Sequence, residues 1–235
     1  MTSTDVKSAP FVPTSLAERD IERVDRPDGT ILLRNRVPLA GFPTSLGSIL
    51  TERAAAHPGR PFLAERGADG EWRFLTYGDA EVRSRAVAQG LLDLGLDGTK
   101  PVAVLSDASI RFGILKLAAL RAGIPIVPVS PAYSLMSESF DKLKHIQKLV
   151  GPKLYYAGPW APFAKAFELL GGEGVHLVAD DPPPGPGRIA FAELERAEPG
   201  ETLARAEAAV GPDTVAKYLM TSGSTGMPKA VINPQ

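Results

Sequence analysis

Apolar runs alternate with amphipathic stretches over most of the chain from residue 43 onward. The runs are short, rich in Val, Ile, Leu and Tyr, and bounded by turn residues, which is typical of buried strands. Strands are predicted at residues 102–105, 124–129, 153–156, 175–178 and 215–220. Near-continuous apolar strands separated by helices favour a mostly parallel sheet with helices on both faces, so we predict an α/β fold.

Apolar residues at helical spacing predict the helices between these strands. The first helix follows Pro43 and ends at His57, and another begins at a capping box that runs from Thr76 to Asp79. Further helices are predicted at residues 110–120, 140–150, 163–170 and 191–196. A hairpin is predicted around the Gly-Ala-Asp-Gly sequence at residues 67–70, whereas residues 198–207 are predicted to be a polar connection.

The chain divides into three predicted parts. Residues 1–40 are polar, contain several prolines and include a short β-like segment at residues 30–34, so we predict an N-terminal arm. Residues 41–210 carry the alternating strands and helices and form a first α/β subdomain. Residues 211–235 hold one further strand and a loop, and we predict that they begin the next subdomain.

Composition narrows the class of protein. The 235 residues are 44% hydrophobic and 23% charged, as in ordinary globular domains, and the formal net charge of −1 gives no basic surface for nucleic acid or acidic membranes. Because there is no Cys, disulfides, thiolate metal sites and a cysteine nucleophile are excluded. No apolar run reaches the length of a membrane span, and the N-terminus lacks the apolar core of a signal peptide. We therefore expect a cytoplasmic enzyme or binding domain.

A loop of hydroxyl residues, glycines and a lysine follows the last predicted strand. Residues 221–229 read Thr-Ser-Gly-Ser-Thr-Gly-Met-Pro-Lys. Glycines allow successive backbone N–H groups to face one concavity, hydroxyls donate to phosphate oxygens, and lysine adds a point charge. The predicted phosphate-binding residues are Thr221, Ser222, Gly223, Ser224, Thr225, Gly226 and Lys229.

Other interpretations of this loop fit less well. A flexible linker would need neither the strand before the loop nor Pro228 and Lys229 after it. A Walker loop requires Gly-Lys followed by Ser or Thr, whereas Lys229 follows Pro228 and precedes Ala230. A nucleophile elbow needs glycines two positions before and after a serine, and no serine of this loop has both.

Candidate chemistry elsewhere in the chain is weaker. The Gly-x-Gly sequence at residues 185–190 contains a proline and lacks the strand-to-helix turn of a dinucleotide site. The adjacent carboxylates of Asp180 and Asp181 raise a metal hypothesis, but a solvated loop is favoured. His57 is expected at the surface end of a helix, His145 in solvent on the charged side of its helix, and His176 in a structural role within a strand.

Residues 221–229 resemble the phosphate-binding signature of the adenylate-forming acyl-CoA synthetases. That family includes acyl- and aryl-CoA ligases, non-ribosomal peptide adenylation domains and luciferases. The one departure is Ala230, where the family usually has glycine, at the start of a return strand. Residues 129–136, Val-Ser-Pro-Ala-Tyr-Ser-Leu-Met, resemble the feruloyl-CoA synthetase branch, because other branches usually carry Asn-Pro in place of Ser130 and Pro131. The resemblance extends over about residues 43–235.

The resemblance implies a fold, a reaction and its substrates. The fold would be the N-terminal subdomain of the adenylate-forming enzymes, truncated just after the phosphate-binding loop. The reaction would join an aromatic acid of the feruloyl type to ATP as an acyl-adenylate and then to CoA, in phenylpropanoid catabolism. The loop would hold the β- and γ-phosphates with Mg²⁺, the Thr221 hydroxyl would lie near the metal, and Lys229 would act catalytically on the leaving pyrophosphate.

The resemblance also implies that much of the site lies beyond Gln235. The adenine pocket, the Mg²⁺ carboxylate, the ribose aspartate and the lid lysine of the family all come later in its sequences. Gln235 itself falls near a histidine that several aryl-CoA ligases direct at the acyl pocket. We therefore expect an N-terminal fragment that is inactive alone, with its last strand short of sheet neighbours. A fatty-acid or small-acid CoA ligase and a truncated, non-catalytic nucleotide-binding remnant are the alternatives.

Overall fold

A computed structural model describes residues 18–38, 41–43, 45–221 and 226–235. The chain divides into two compact units, Met1–Phe42 and Pro43–Gln235. The described part of the first unit is an antiparallel hairpin of β1 (Ile21–Asp25) and β2 (Ile31–Asn35). The predicted β-like segment at residues 30–34 is therefore a strand, displaced by one residue. The proposed boundary at residue 40 stays a prediction.

The second unit is built on a seven-stranded sheet. A separate antiparallel hairpin, β3 (Pro61–Arg66) and β4 (Trp72–Thr76), precedes it, as the turn sequence predicts. The strands of the large sheet are β5 (Val102–Val104), β6 (Ile126–Pro128), β7 (Leu154–Tyr156), β8 (His176–Ala179), β9 (Arg188–Ala190), β10 (Val215–Thr221) and β11 (Lys229–Pro234). Their order is β11-β10-β6-β5-β7-β8-β9, and every pairing is parallel except that of β10 with β11. The prediction of a mostly parallel α/β sheet is confirmed.

Helices cover both faces of the sheet. They are α1 (Leu46–Ala56), α2 (Tyr77–Asp93), α3 (Ile110–Arg121), α4 (Ala132–Leu135), α5 (Asp141–Val150), α6 (Trp160–Leu170), α7 (Phe191–Leu194) and α8 (Glu201–Ala209). The predicted cap at Thr76 is present, because its hydroxyl oxygen accepts a hydrogen bond from the Asp79 N–H at 3.1 Å. Ser45 and Ser109 cap α1 and α3 in the same way, which explains why these helices begin where they do.

Alternating side chains of the central strands divide between two apolar clusters. In β5, Val102 and Val104 belong to one cluster with residues of α2 and α3, whereas Ala103 belongs to the other with residues of α5 and α6. In β7, Tyr156 lies in the first cluster and Tyr155 in the second. Both faces of these strands are therefore buried, which is why they read as continuous apolar runs.

Three sequence expectations are corrected. Residues 201–209 are helix α8 and not a polar connection; only Leu203 of this helix is buried, so its sequence lacks the apolar stripe that marks other helices. The short strand β9 was not predicted, because three residues carry too little pattern. The strand β10 does not lack neighbours, since it pairs with β6 on one side and β11 on the other.

The last two strands join the sheet formed by residues 102–190. The predicted division at residue 210 stays a prediction. Within the residues that the structure describes, no helix combines the length and the apolar character needed to cross a lipid bilayer.

Candidate phosphate-binding site

The loop after β10 lies at the carboxyl edge of the parallel sheet. β10 runs parallel to β6, with Lys217 opposite Ile126, and β6 runs parallel to β5. The segments that follow these three strands therefore meet at one edge. The chain passes from β5 to its neighbour β6 and then to β7 on the other side of β5, so the topological switch point lies between β5 and β7, with β6 and β5 between it and β10. Open α/β sheets bind ligands outside the carboxyl ends of strands at such a point.

Thr221 and Lys229 form the base of this loop. They are the last antiparallel pair of β10 and β11, and they lie directly opposite each other. The Thr221 hydroxyl accepts a hydrogen bond from the Lys229 N–H and donates one to the Lys229 carbonyl, both at 3.3 Å. The loop is thus the tip of a hairpin, and the predicted hydroxyl of Thr221 is bonded to the backbone of the residue that carries the predicted cation.

The structure places only some of the predicted phosphate-binding residues. Thr221, Gly226 and Lys229 are all exposed at the hairpin tip. Ser222, Gly223, Ser224 and Thr225 lie outside the described residues. The phosphate-binding assignment of the whole set stays a prediction, and it depends on the geometry of the two ends.

The chemistry of the two ends suits an anion. Lys229 has no ion-pair partner within the described ranges, so its charge is available to a ligand. Gly226 has open space where a side chain would be, with no atom within 4 Å of an ideal Cβ position. Thr221 and Lys229 are exposed and lie opposite each other, so a hydroxyl and an ammonium group from neighbouring residues are available to a phosphate.

The same ends offer little to a magnesium ion. Thr221 supplies one hydroxyl oxygen, and over the described ranges no group of three or more His, Asp or Glu side chains could hold a metal. Mg²⁺ is usually held by carboxylates together with substrate phosphates. Thr221 alone therefore fits as one ligand of a site whose other ligands are not among these residues.

A groove runs beside the hairpin tip and has a volume of about 640 Å³. Tyr133 and Met136, from the segment that resembles feruloyl-CoA synthetases, line it together with Gly226 and Met227. The ammonium group of Lys142 lies 4.9 Å from the centre of the Tyr133 ring and adds a second cation near the loop. The segment that follows β6 therefore forms part of the wall of this groove.

His145 is not solvated, and the expectation for it is wrong. Its Nε2 lies 2.9 Å from the carbonyl oxygen of Pro228, the residue before Lys229, and the ring is half-buried. The sequence placed His145 on the charged side of α5, with Lys144 and Lys148. Its partner depends on the order of strands in the sheet, which local spacing does not reveal.

Asp180 and Asp181 are structural residues and not a metal pair. Asp180 forms an ion pair with Arg111 at 2.8 Å, and Asp181 accepts a hydrogen bond from the Trp160 N–H at 2.7 Å. Burial opposes the charge of Arg111, but the carboxylate of Asp180 outweighs it and raises the pKa of Arg111 above its ordinary value. Desolvation likewise raises the pKa of Tyr156, whose hydroxyl lies 3.4 Å from Asp180. These carboxylates are therefore already paired within the fold.

Gln235 also serves the fold. Its side-chain oxygen accepts a hydrogen bond from the Leu46 N–H at 3.2 Å, and its side-chain nitrogen donates to the Leu120 carbonyl at 2.9 Å. It therefore ties the end of β11 to α1 and α3.

The fold and the site define an α/β protein whose parallel sheet is covered by helices on both faces and ends in a hairpin with Thr221 and Lys229 exposed at its tip. More specifically, the chain belongs to the AMP-binding enzyme family, whose profile matches residues 50–234.

Two individual proteins show sequence similarity to this chain. A 4-coumarate–CoA ligase from Humulus lupulus is 32% identical over 205 residues, which cover 86% of this chain and 35% of the ligase. A phosphinothricin tripeptide synthetase from Streptomyces viridochromogenes is 29% identical over 190 residues, which cover 81% of this chain and 15% of the synthetase. The chain therefore spans about a third or less of the length of these relatives.

Solved structures agree with the fold. A fatty acyl-adenylate ligase from L. pneumophila, solved with an acyl adenylate and pyrophosphate, has a TM-score of 0.59 and 23% sequence identity. The match covers 80% of this chain and 30% of that one. The predicted N-terminal fold of the adenylate-forming enzymes is confirmed.

Proposed function

We propose that this chain is the N-terminal part of an ATP-dependent acid–CoA ligase that activates an aromatic acid of the feruloyl type. The observation that carries this proposal is the Thr221–Lys229 pair, which closes a hairpin at the carboxyl edge of the sheet within the family match. This pair holds an exposed hydroxyl and a cation without an ion-pair partner among the described residues, at the carboxyl end of a strand of the parallel sheet.

The proposed reaction has two steps. A carboxylate oxygen of the acid attacks the α-phosphorus of ATP, a P–O bond breaks, and pyrophosphate leaves with its electron pair. The thiol of CoA then attacks the acyl carbonyl and displaces AMP. The Lys229 ammonium would stabilise negative charge on the leaving pyrophosphate, and Thr221 would orient it by a hydrogen bond. Mg²⁺, when bound, would offset phosphate charge, with Thr221 as the one ligand that we assign here.

The proposed identities of the acid and of its acceptor, CoA, are based on resemblance to other proteins. The segment at residues 129–136 lies beside the loop and favours the feruloyl-CoA synthetase branch, and one relative at 32% identity is a 4-coumarate–CoA ligase. A fatty acid is the alternative substrate, since a solved structure of the same fold is a fatty acyl-adenylate ligase. A peptide synthetase is also a relative, so an acceptor other than CoA and a non-catalytic nucleotide-binding remnant remain alternatives. A cytoplasmic location and the subdomain boundary at residue 210 belong to the same proposal.

Phosphate binding can be measured on the 235-residue chain itself. Backbone amide NMR spectra recorded during titration with pyrophosphate and with Mg·ATP should shift the signals of Thr221, Gly226 and Lys229 first. The Arg111 signal serves as an internal control, because this cation is already paired with Asp180. Shifts at Arg111 without shifts at the hairpin tip would contradict the site.

The substrate is tested by acid-dependent exchange of pyrophosphate into ATP. Protein expressed from the longest reading frame that contains this sequence is assayed with ferulate, 4-coumarate, benzoate and a fatty acid, and thioester formation is followed with CoA. We expect exchange with the hydroxycinnamates and none from the 235-residue chain alone. Exchange with the fatty acid only would replace the aromatic assignment by the alternative.

A further inference from the structure

The helix α5 packs against the strand that leads into the phosphate-binding loop. Leu143 and Ile146 of α5 are buried in the second apolar cluster, and Tyr218 and Met220 of β10 pack against the same cluster. One face of β10 therefore lies under α5, and the next residue of the strand is Thr221. The position of the hairpin tip depends on how α5 is held.

Local geometry fixes the start of α5. Phe140 precedes the helix in the left-handed region, with φ 55° and ψ 22°, and is the one described non-glycine residue with positive φ. A bulky side chain in this conformation is unfavourable and persists only where the surroundings impose it. Its ring packs against the second cluster, and its N–H donates to the Ser137 hydroxyl at 3.0 Å. The helix is thus anchored at its first turn.

His145 projects from this anchored helix to the loop. Its Nε2 is 2.9 Å from the carbonyl oxygen of Pro228, which is buried. A carbonyl oxygen can only accept, so Nε2 must carry the proton.

The peptide group between Pro228 and Lys229 is held at both of its polar atoms. Its carbonyl accepts from His145, and its N–H donates to the Thr221 hydroxyl at 3.3 Å. Because a peptide group is planar, holding both atoms fixes the orientation of this peptide and the position of the Lys229 Cα, from which the side chain extends. A proline has no N–H, so the Pro228 residue offers no other backbone bond on this side.

We propose that His145 is a positioning residue for the phosphate-binding loop, which aims Lys229 through the carbonyl of Pro228. This inference rests on the proposed function, in which Lys229 binds the pyrophosphate group. His145 does not touch the ligand. Its removal should loosen the Pro228–Lys229 peptide and weaken anion binding without removing any group that contacts the anion.

The hydrogen bond is tested first on the unliganded 235-residue chain. Long-range proton–nitrogen NMR should show the His145 ring protonated at Nε2 at neutral pH. In His145→Ala, hydrogen exchange of the Lys229 amide should accelerate several-fold, while the Leu105 amide, a donor to Tyr156 in the sheet, should be unchanged. A ring protonated at Nδ1, or an unchanged Lys229 amide, would overturn the proposal.

Binding of pyrophosphate to matched variants then separates positioning from simple stabilisation. His145→Ala should weaken binding about three- to tenfold, the worth of one hydrogen bond. His145→Gln places an N–H donor near the former Nε2 and should restore most of the affinity, whereas the shorter side chain in His145→Asn should not. Leu149→Ala changes an exposed residue of the same helix and should bind as the wild type does.

The outcomes distinguish the two proposals. Equal affinity for all His145 variants, with a lowered melting temperature only, would reduce His145 to a structural residue and overturn the inference. Absence of pyrophosphate binding by the wild type would overturn the phosphate-binding function. The hydrogen exchange rate of the Lys229 amide in His145→Ala would then be the remaining test of whether His145 holds the Pro228–Lys229 peptide.

Discussion

Two cations of this fold, Arg121 and Lys229, are placed in opposite ways. Arg121, at the end of α3, is 3% exposed and forms ion pairs with Glu81 of α2 and Glu207 of α8. Lys229 is exposed at the hairpin tip and has no such partner within the ranges that the structure describes. The sequence gives both simply as cations, and only the fold separates them.

Arg121 belongs to a helix-junction network that consists of Thr51, Glu81, Arg85, Arg121 and Glu207. These residues come from α1, α2, α3 and α8, and Arg85 also pairs with Glu207 at 3.1 Å. Removing a guanidinium from water is costly, and the cost is recovered only where carboxylates surround it. The charge of Arg121 is therefore offset within the protein by the carboxylates of Glu81 and Glu207.

The hairpin tip reverses this arrangement. A cation kept in water next to a hydroxyl gains little stability for the fold, but it remains able to bind a phosphate. The comparison teaches that a paired, buried charge organises helices, whereas an exposed charge without an ion-pair partner among the described residues is available to a ligand.

The largest expected effect comes from removing Arg121, the buried cation of the helix-junction network. In Arg121→Met, Glu81 and Glu207 lose their common partner, and we expect the free energy of unfolding to fall by about 3–5 kcal/mol. Chemical denaturation of the 235-residue chain measures this. The Arg121→Lys variant keeps the charge but loses the planar guanidinium group. Its free energy of unfolding should lie between those of the wild type and Arg121→Met. An unchanged stability of Arg121→Met would show that the network is dispensable.

The next effect is expected at the other cation. Lys229→Gln removes the charge from an exposed position, so the unfolding free energy should change by less than about 0.5 kcal/mol. Affinity for pyrophosphate should fall about tenfold or more, because a hydrogen bond to a charged group is lost. Calorimetric titration measures the affinity, and Lys144→Gln, an exposed lysine of α5, is the control for general charge. Equal losses in the two variants would make the attraction nonspecific.

The sequence predicted the central sheet because its strands are buried on both faces. Runs such as residues 102–105 and 153–156 are apolar because their side chains pack into one or the other of the two apolar clusters. Helix α8 escaped prediction for the opposite reason. Leu203 is its one buried residue, and an ion pair from Glu207 to Arg121, 86 residues away along the chain, helps to hold it. Long-range pairing of this kind leaves no periodic signal.

The candidate site was also predicted only in part, because local sequence reveals some of its residues and not others. Thr221 and Lys229 belong to a contiguous string of residues, so local sequence was enough to nominate them. His145 lies 83 residues from Pro228, and its contact requires α5 to lie over β10. The order β10-β6-β5 creates that proximity, and no spacing within α5 encodes it.

The smallest effect is expected from a matched pair of threonines, one in each region. Thr51 lies in the helix-junction network, where its hydroxyl is 3.1 Å from a Glu81 carboxylate oxygen, and Thr221 pairs with Lys229. Substitution of either residue by Val preserves the branched shape and removes the hydroxyl. Thr51→Val should lower the unfolding free energy by about 0.5–1 kcal/mol and leave pyrophosphate affinity unchanged. Thr221→Val should leave the unfolding free energy nearly unchanged and lower the affinity for pyrophosphate a few-fold. This loss should be smaller than that caused by Lys229→Gln. If both threonines affected stability alone, the distinction between the two regions would fail, because the Thr221 hydroxyl would then serve only to close the hairpin.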